Sequence, residues 1–115
     1  MPIEKFEDII AWQKARVLVN EVYRLMKENR DYAFKDQLLR AAVSVMNNIA
    51  EGFERRGEKE FKRFLFISKG SNAEVRSMLY LVIDLNYASP EQFQKLYNLT
   101  GEIARLLSGF IKTFI

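Results

Sequence analysis

The stretch "SPEQFQKLYNLTGEIARLLSGFIKTF", residues 89–114, decides the fold class of this chain. It opens with a helix start signal: Ser89 can cap a helix, Pro90 fits the first helical position, and Gln92 completes a capping box. Side chains suited to a core then recur every three or four residues, the spacing of one helix face. They are Phe93, Leu96, Thr100, Ile103, Leu107, Phe110 and Phe114. The stretch therefore predicts an amphipathic α-helix over residues 90–114.

The rest of the chain shows the same helical spacing, interrupted at a few turn-forming positions. The predicted helices cover about residues 8–29, 34–53, 58–86 and 90–114. Asp8 is the expected N-cap of the first helix, and Gly52 is the expected left-handed C-cap of the second. Because the connections are short, sequential helices should be antiparallel neighbours. We therefore expect a single all-α domain over residues 1–115, an antiparallel up-down four-helix bundle.

The predicted third helix carries small residues near its middle. Ser68 and Ser71 take core-facing positions there, and Gly70 lies beside them. Small side chains allow helix backbones to approach each other closely. We therefore expect a neighbouring helix to pack tightly against this part of the third helix.

Composition limits the chemistry that this chain can perform. It has neither cysteine nor histidine, which excludes thiolate nucleophiles, histidine bases, disulfide bonds and structural zinc sites built from those ligands. The sequence has no phosphate-binding glycine loop and no metalloprotease motif, and its carboxylates are scattered singly. We expect no enzyme activity, no catalytic or metal-binding residue, no cofactor and no small-molecule substrate.

Charge and hydropathy indicate a soluble chain. The net charge is +3 and the pI is about 9.2, a mildly basic balance that permits an anionic partner without requiring one. No apolar run approaches the length of a membrane span, and the opening "MPIEKFEDII" lacks the pattern of a signal peptide. We expect a cytoplasmic protein that makes no membrane contact.

Two helices have apolar faces wider than a monomeric bundle needs. Apolar residues cover well over half of the first helix, and the third helix carries a surplus outside its core face. That surplus consists of Phe66, Ile67, Tyr80, Leu81 and Ile83. A helix that is apolar nearly all round is buried nearly all round, and a small bundle achieves this against another subunit. We therefore expect a homo-oligomer.

The second helix carries an unusual polar face. Its members are Gln37, Arg40, Ser44, Asn47, Asn48 and Glu51, which share one half of the helical wheel. A solvated helix face usually carries Lys and Glu, whereas asparagine is a poor helix former. Short uncharged polar groups suit hydrogen bonding between helices or between subunits. We interpret these residues as an interface, with a solvated face as the alternative.

Basic residues are concentrated where the second and third helices meet. Residues 55–76 contain seven basic side chains against three acidic ones. Those that we assign to nucleic-acid contact are Arg55, Arg56, Lys59, Lys62, Arg63 and Lys69. Cations on a rigid helix start can contact phosphates without reading sequence, and Phe61, Phe64 and Phe66 could stack on bases. The alternative is a solvated basic end with Phe61 and Phe64 in the core.

Four stretches, covering nearly the whole chain in order, carry a family resemblance. They are "FEDIIAWQKARVLVNEVY" (6–23), "DQLLRAAVSVMNNIAEGFER" (36–55), "EFKRFLFISKGSNAEV" (60–75) and "LVIDLNYASPEQF" (81–93). Their most specific part combines Gln37, Arg40, Ala41, Ser44, Asn48, Ile49, Ala50, Glu51 and Gly52 with the later Gly70, Ser71 and Glu74. This combination resembles the four-helix-bundle family of bacterial 23S rRNA intervening-sequence proteins. Ser71 and Glu74 join the predicted interface.

The resemblance implies an antiparallel four-helix bundle that assembles into a ring-like homopentamer. The molecular role of the family is not established, and nucleic-acid binding is the usual suggestion. A related pentameric bundle, the accessory protein of diversity-generating retroelements, is strongly basic. This chain is only mildly basic, so the rRNA-associated or orphan branch fits it better.

Two functions are consistent with these patterns. The first is a non-catalytic homo-oligomeric bundle whose basic end contacts RNA or DNA backbone weakly and without sequence preference. The second is a protein-interaction scaffold that binds no nucleic acid. An affinity for nucleic acid that falls steeply with salt distinguishes the first function from the second.

Overall fold

Four α-helices form the molecule, and successive helices pack side by side. The computed structural model describes residues 3–114. Its helices are α1 (Ile10–Met26), α2 (Tyr32–Glu54), α3 (Glu58–Asp84) and α4 (Pro90–Ile111). A 3₁₀ turn over Phe6–Asp8 precedes α1, and the described residues contain no strand. Each helix packs against the next and α4 returns to α1, so the expected all-α fold with four helices is confirmed.

The helices enclose one apolar core along a molecule about 43 Å long. Every helix contributes fully buried aliphatic side chains, among them Leu18, Ile49, Leu79 and Leu107. Burying one such side chain stabilises the fold by about 1.5–3 kcal/mol. None of the described helices is long and apolar enough to cross a membrane. The predicted domain over 1–115 also includes residues 1, 2 and 115, which lie outside the described part.

The start of α4 confirms the local signal in the sequence. Ser89 Oγ accepts a hydrogen bond from the Gln92 backbone N–H at 3.1 Å, and Gln92 Oε1 accepts one from the Ser89 backbone N–H at 2.8 Å. Pro90 takes the first helical position. Within the predicted core face, the fully or nearly fully buried residues are Leu96, Thr100, Ile103 and Leu107. The helix ends at Ile111, three residues earlier than expected.

The prediction of Asp8 as an N-cap is wrong. Asp8 ends the 3₁₀ turn, and Ile9 takes the cap position of α1 in an extended conformation without a side-chain cap hydrogen bond. Ile9 is only 2% exposed, so burial of its side chain fixes how the chain enters α1. At the other end, α1 stops at Met26. Asn29 Oδ1 then accepts a hydrogen bond from the Asp31 backbone N–H at 2.8 Å and shapes the turn.

The α1–α2 and α3–α4 turns are joined by a side-chain contact. Asp31 Oδ1 accepts a hydrogen bond from the Phe34 backbone N–H at 3.4 Å and caps α2, which begins at Tyr32. The Tyr87 hydroxyl donates to Asp31 Oδ2 at 2.7 Å, and its ring packs edge-on against Phe34 at 5.7 Å between centroids. The hydrogen bond to Asp31 raises the pKa of Tyr87.

Gly52 does not end α2, which corrects its predicted role as a C-cap. The helix continues through Gly52 to Glu54, and the left-handed conformation falls on Arg56, whose φ is 61°. A Cβ added at Gly52 would lie 2.6 Å from the Phe64 Cβ. The glycine therefore allows α2 and α3 to approach each other. Close approach and helix termination both favour glycine, so the residue type alone does not separate them.

Candidate interface and basic surface

Two hydrogen bonds join the polar face of α2 to α3. The hydroxyl oxygens of Ser44 and Ser71 lie 2.8 Å apart, and Gln37 Nε2 donates to Glu74 Oε2 at 3.3 Å. Asn48 Nδ2 donates to the Ser44 carbonyl oxygen at 2.8 Å and to its hydroxyl oxygen at 2.9 Å. These five predicted interface residues therefore lie together between two helices of the same chain.

Ser68 and Gly70 differ in burial although they are only two residues apart. Ser68 is fully buried, and its hydroxyl donates to the Val45 carbonyl oxygen of α2 at 2.7 Å. The expected tight packing therefore occurs at Ser68. Apart from the adjoining part of α3 itself, no atom of the described chain lies within 4 Å of the position that a Cβ on Gly70 would take. No helix of the described chain packs against Gly70, because its face points away from the other helices, so the expected close approach at Gly70 stays a prediction.

The outward part of the α2 polar face contains Arg40 and Asn47. Both residues are exposed, and neither makes a hydrogen bond to α3 in the described part of the chain. With Tyr23, Leu39 and Val43 they border a shallow groove of about 570 Å³ on the α1–α2 side of the bundle. Ser44 and Asn48 also line this groove. The predicted polar face is therefore partly bonded to α3 and partly exposed at the groove.

The contact between α3 and α4 contains a polar cluster that was not predicted. Asn72 is 1% exposed, and its Nδ2 donates to a backbone carbonyl oxygen of α4 at 2.9 Å. One turn later, the Arg76 guanidinium lies 4.6 Å from the centroid of the Tyr97 ring. The Tyr80 hydroxyl donates to the Tyr97 hydroxyl at 3.1 Å. The available signal was the position of Asn72 four residues after buried Ser68, because a step of four stays on one helix face.

Hydrogen bonding and charge shift the pKa values of the two tyrosine hydroxyls of this cluster, those of Tyr80 and Tyr97, in opposite directions. The hydrogen bond that Tyr80 donates to Tyr97 raises the pKa of Tyr80. The pKa of Tyr97 is lowered by accepting that bond and, next, by the charge of Arg76. Asn72 Oδ1 and Arg76 Nε are buried without a hydrogen-bond partner among the described residues. The cluster therefore carries a cation whose contacts are to aromatic and uncharged groups.

At the basic end, three of the six predicted nucleic-acid contacts are paired with carboxylates. The pairs are Arg55–Glu51 at 2.9 Å, Arg63–Glu60 at 3.0 Å and Arg56–Glu54 at 4.0 Å. The hydrogen bond between Arg63 and Glu60 lowers the pKa of the carboxyl group and raises that of the guanidinium. Surface pairs of this kind contribute little to stability. They do reduce the positive charge that this end offers to a phosphate.

Phe61 and Phe64 belong to the core rather than to a base-stacking surface. Phe64 is buried, and the guanidinium groups of Arg55 and Arg63 lie 5.0 Å and 4.7 Å from the centroid of its ring. Cations at such distances are attracted to the face of an aromatic ring. Phe61 packs edge-on within an aromatic cluster at the same end of the bundle. Phe66 is the exception, with 51% of its surface exposed.

The three predicted lysine contacts keep their charge available. Lys59 and Lys69 are exposed and Lys62 is half-buried. None of the three forms an ion pair within residues 3–114. The same residues include no cluster of acidic side chains that could hold a metal ion. Of the predicted contacts, Lys59 and Lys62 are therefore the unpaired cations at this end of the described chain, and Lys69 is an unpaired cation nearer the middle of α3. Lysine side chains suit loose contact with phosphates.

These features define a class of protein: a small four-helix bundle with a hydrogen-bonded α2–α3 contact and lysines at one end. The chain belongs to the 23S rRNA-intervening sequence protein family, which it matches over residues 7–109. A solved structure with a similar fold is a protein with unknown function from the S23 ribosomal protein family of Bacteroides thetaiotaomicron. It has a TM-score of 0.80 and 28% identity, over 90% of this chain and 96% of that chain. No curated protein matches the sequence.

Proposed function

We propose that this chain is a non-catalytic cytoplasmic bundle that associates with copies of itself. The observation that carries the proposal is one outer face of α3, which we call the α3 outer stripe. Its members are Phe66, Gly70, Ala73, Ser77 and Leu81, all of them exposed. They follow one another at steps of three and four residues, so they share a face. A solvated face is usually polar and charged, whereas this uncharged one suits burial against another chain.

Gly70 supports the proposal because it lies in the middle of the stripe. Glycine inside a helix destabilises it by about 0.5–1 kcal/mol relative to alanine. No contact within the described chain requires the missing side chain, since nothing lies within 4 Å of the Cβ position. A helix from another molecule can approach closely there, because the distance between packed helices depends on the side chains at the contact.

A second copy of this chain is the proposed occupant of the stripe because the chain carries a matching surface. The groove beside Tyr23, Leu39 and Val43 lies on a different side of the bundle. The groove carries Arg40 and also Asp36. Arg40 and Glu74 beside the stripe are oppositely charged, and neither forms an ion pair in the described chain. Joining the stripe of one copy to the groove of the next is a head-to-tail contact, which closes into a ring when the rotation permits. The homopentamer implied by the family resemblance is a ring of this kind.

Contact with RNA or DNA backbone is a second candidate function, supported by the lysines of the basic end. Lys59, Lys62 and Lys69 form no ion pair within residues 3–114. Because the arginines beside them are already paired, one chain should bind weakly and without sequence preference. An oligomer would repeat the contact and raise the overall affinity. The alternative is a scaffold whose partner is another protein.

Size-exclusion chromatography with light scattering tests the self-association. We expect the wild-type mass to be several times the 13.5 kDa of one chain. Ala73→Arg should reduce this mass, because it places a charge in the stripe that association would have to bury. Ala33→Arg is the matched control, since Ala33 is exposed at the start of α2 and outside the stripe. A wild-type protein that stays monomeric at micromolar concentration would exclude the proposal.

Fluorescence anisotropy with labelled RNA and DNA duplexes across a salt series tests the second function. The logarithm of the affinity should fall linearly with the logarithm of the salt concentration. Reversing the charges of Arg55, Arg56, Lys62 and Arg63 should abolish binding and leave the assembly mass unchanged. An assembly that binds no nucleic acid at low salt would instead support the scaffold.

A further inference from the structure

Three cations form a row along the flank of α3 that faces α4. Lys62, Lys69 and Arg76 are seven residues apart, close to two helical turns, so they project from one side of the helix. Arg76 identifies that side, because its guanidinium lies over the Tyr97 ring of α4 at 4.6 Å. At a rise of 1.5 Å per residue, the row is about 21 Å long. We call these three residues the α3/α4 row.

Between Lys62 and Tyr80 of α3, and along the facing part of α4, the carboxylates are directed away from this row. Glu74 is the one acidic residue within positions 62–80 of α3, and Glu102 is the one within positions 93–108 of α4. Glu74 is hydrogen-bonded to α2 at 3.3 Å, and Glu102 is paired with α1 at 3.4 Å. The three cations of the row form no ion pair in the described chain. Glu58 lies four residues before Lys62 on the same side of α3, so the Lys62 end of the row has a carboxylate nearby. Lys69 and Arg76 have no such neighbour on α3.

An exposed aromatic ring lies at one end of the row. Tyr80 follows Arg76 by four residues and is 52% exposed. Its ring contacts Phe93 and Tyr97 edge-on, at 5.8 Å and 5.7 Å between centroids, and its hydroxyl is bonded to Tyr97. These contacts hold the Tyr80 ring in place. A fixed, exposed ring beside a guanidinium offers a surface on which an unpaired base can stack.

We infer that the α3/α4 row, with Tyr80 at its end, is a track for single-stranded nucleic acid. The inference rests on the proposed contact with nucleic acid and adds the surface and the type of strand. A stacked strand carries one phosphate per about 3.4 Å, so a row of about 21 Å spans roughly six nucleotides. That length falls within the range of about 4–16 nucleotides found for single-strand binding modules. A duplex keeps its bases paired, so it gains the charge contacts and lacks the stacking on Tyr80.

Anisotropy titrations with oligouridine and oligothymidine of about twelve nucleotides test the track, with a duplex of the same length for comparison. We expect the single strands to bind at least several-fold more tightly than the duplex. Tyr80→Ala should weaken single-strand binding by about tenfold, the effect of losing one stacked base. Tyr80→Phe keeps the ring and should keep the affinity. Equal affinity for oligouridine and oligothymidine would indicate that the track contacts only the phosphates and bases, which both RNA and DNA provide. A preference for oligouridine would indicate RNA as the ligand.

The charge contribution is tested by the salt dependence of single-strand binding. Three phosphate contacts predict a slope of about −2 for the logarithm of affinity against the logarithm of salt concentration. Lys62→Gln combined with Lys69→Gln should reduce the magnitude of that slope by about 1.4. Lys27→Gln combined with Arg30→Gln makes the same charge change at exposed positions near the end of α1 and should leave the slope unchanged. Light scattering on each variant separates lost binding from lost assembly.

The outcomes distinguish this inference from the function on which it rests. If the wild-type protein binds neither single strands nor duplex at low salt, both are wrong. If charge reversal at Arg55 and Arg56 abolishes binding while changes at Lys69 and Tyr80 have no effect, contact at the basic end stands and the track is wrong. Loss of single-strand binding in Tyr80→Ala, restored in Tyr80→Phe, supports the track.

Discussion

A Cβ on Gly52 would lie 2.6 Å from the Cβ of Phe64, closer than two such atoms can approach. α2 and α3 therefore meet at this point without room for a side chain on α2. On either side of the contact, Arg55 and Arg63 lie over the Phe64 ring. Gly52 thus allows α2 and α3, the two helices that meet at the basic end, to come into close contact.

Replacing Gly52 with alanine should reduce the free energy of unfolding by about 1–3 kcal/mol, because the added methyl group forces the two helices apart. Urea denaturation measures the change. Gly109→Ala is the matched control, since Gly109 is also helical and has no atom within 4 Å of its Cβ position. Its stability should stay the same or rise by up to about 1 kcal/mol. Equal losses in the two variants would show that crowding against Phe64 is not the cause.

Replacing Asn72 with alanine should lower the free energy of unfolding by about 1–3 kcal/mol. The substitution removes a buried hydrogen bond of 2.9 Å to α4 and leaves a cavity in a closely packed contact. Thermal unfolding followed by circular dichroism provides the measurement. Asn98→Ala, at an exposed position of α4, should change stability by less than about 0.5 kcal/mol.

The hydrogen bond between Ser44 and Ser71 should appear as a coupling in a double-mutant cycle. We expect the two alanine substitutions to be non-additive by about 0.5–1.5 kcal/mol, the net value of a typical hydrogen bond. Ser44→Ala with Ser77→Ala is the control pair, because Ser77 is exposed on the outer side of α3. That pair should be additive, and a coupling as large as that of the first pair would argue against a specific contact.

Stability should fall above pH 10 because of Tyr87. The hydrogen bond to Asp31 raises the pKa of Tyr87 above the ordinary value for tyrosine, about 10, so the folded state holds the proton more firmly than the unfolded state. The stabilisation is complete below pH 10 and is lost as the pH rises through the folded-state pKa. Denaturation at pH 8 and at pH 11 measures the loss. Tyr87→Phe should show a smaller decrease between the two pH values, and equal decreases would rule out this hydrogen bond as the source.

Local signals predicted the fold where they acted alone and failed where packing overrode them. Ser89 and Gln92 cap α4 as their spacing indicates, since both partners lie within one turn. Asp8 has the right residue type for a cap, but burial of Ile9 sets the start of α1 instead. Gly52 has the right residue type for a helix end, but its function depends on Phe64, which lies on another helix.

The candidate site was predictable to the extent that its contacts are local. Glu51 and Arg55 are four residues apart, so their ion pair could be read from the sequence. A charge count that begins at Arg55 leaves out Glu51 and therefore overstates the positive charge of the basic end. The bond from Asn72 to Thr100 spans 28 residues. It depends on how α3 and α4 align, which no local pattern specifies.

The hydrogen bond between Tyr87 and Asp31 also has a dynamic consequence, because it spans 56 residues. Opening either of the two turns must break it, so the turns should unfold locally as one cooperative unit. The Phe34 amide is bonded to Asp31, and the Tyr87 amide is bonded to the Val82 carbonyl oxygen. In native-state hydrogen exchange, these two amides should therefore report the same opening free energy. The two turns at that end of the bundle then open together, whereas two unconnected loops would fray independently.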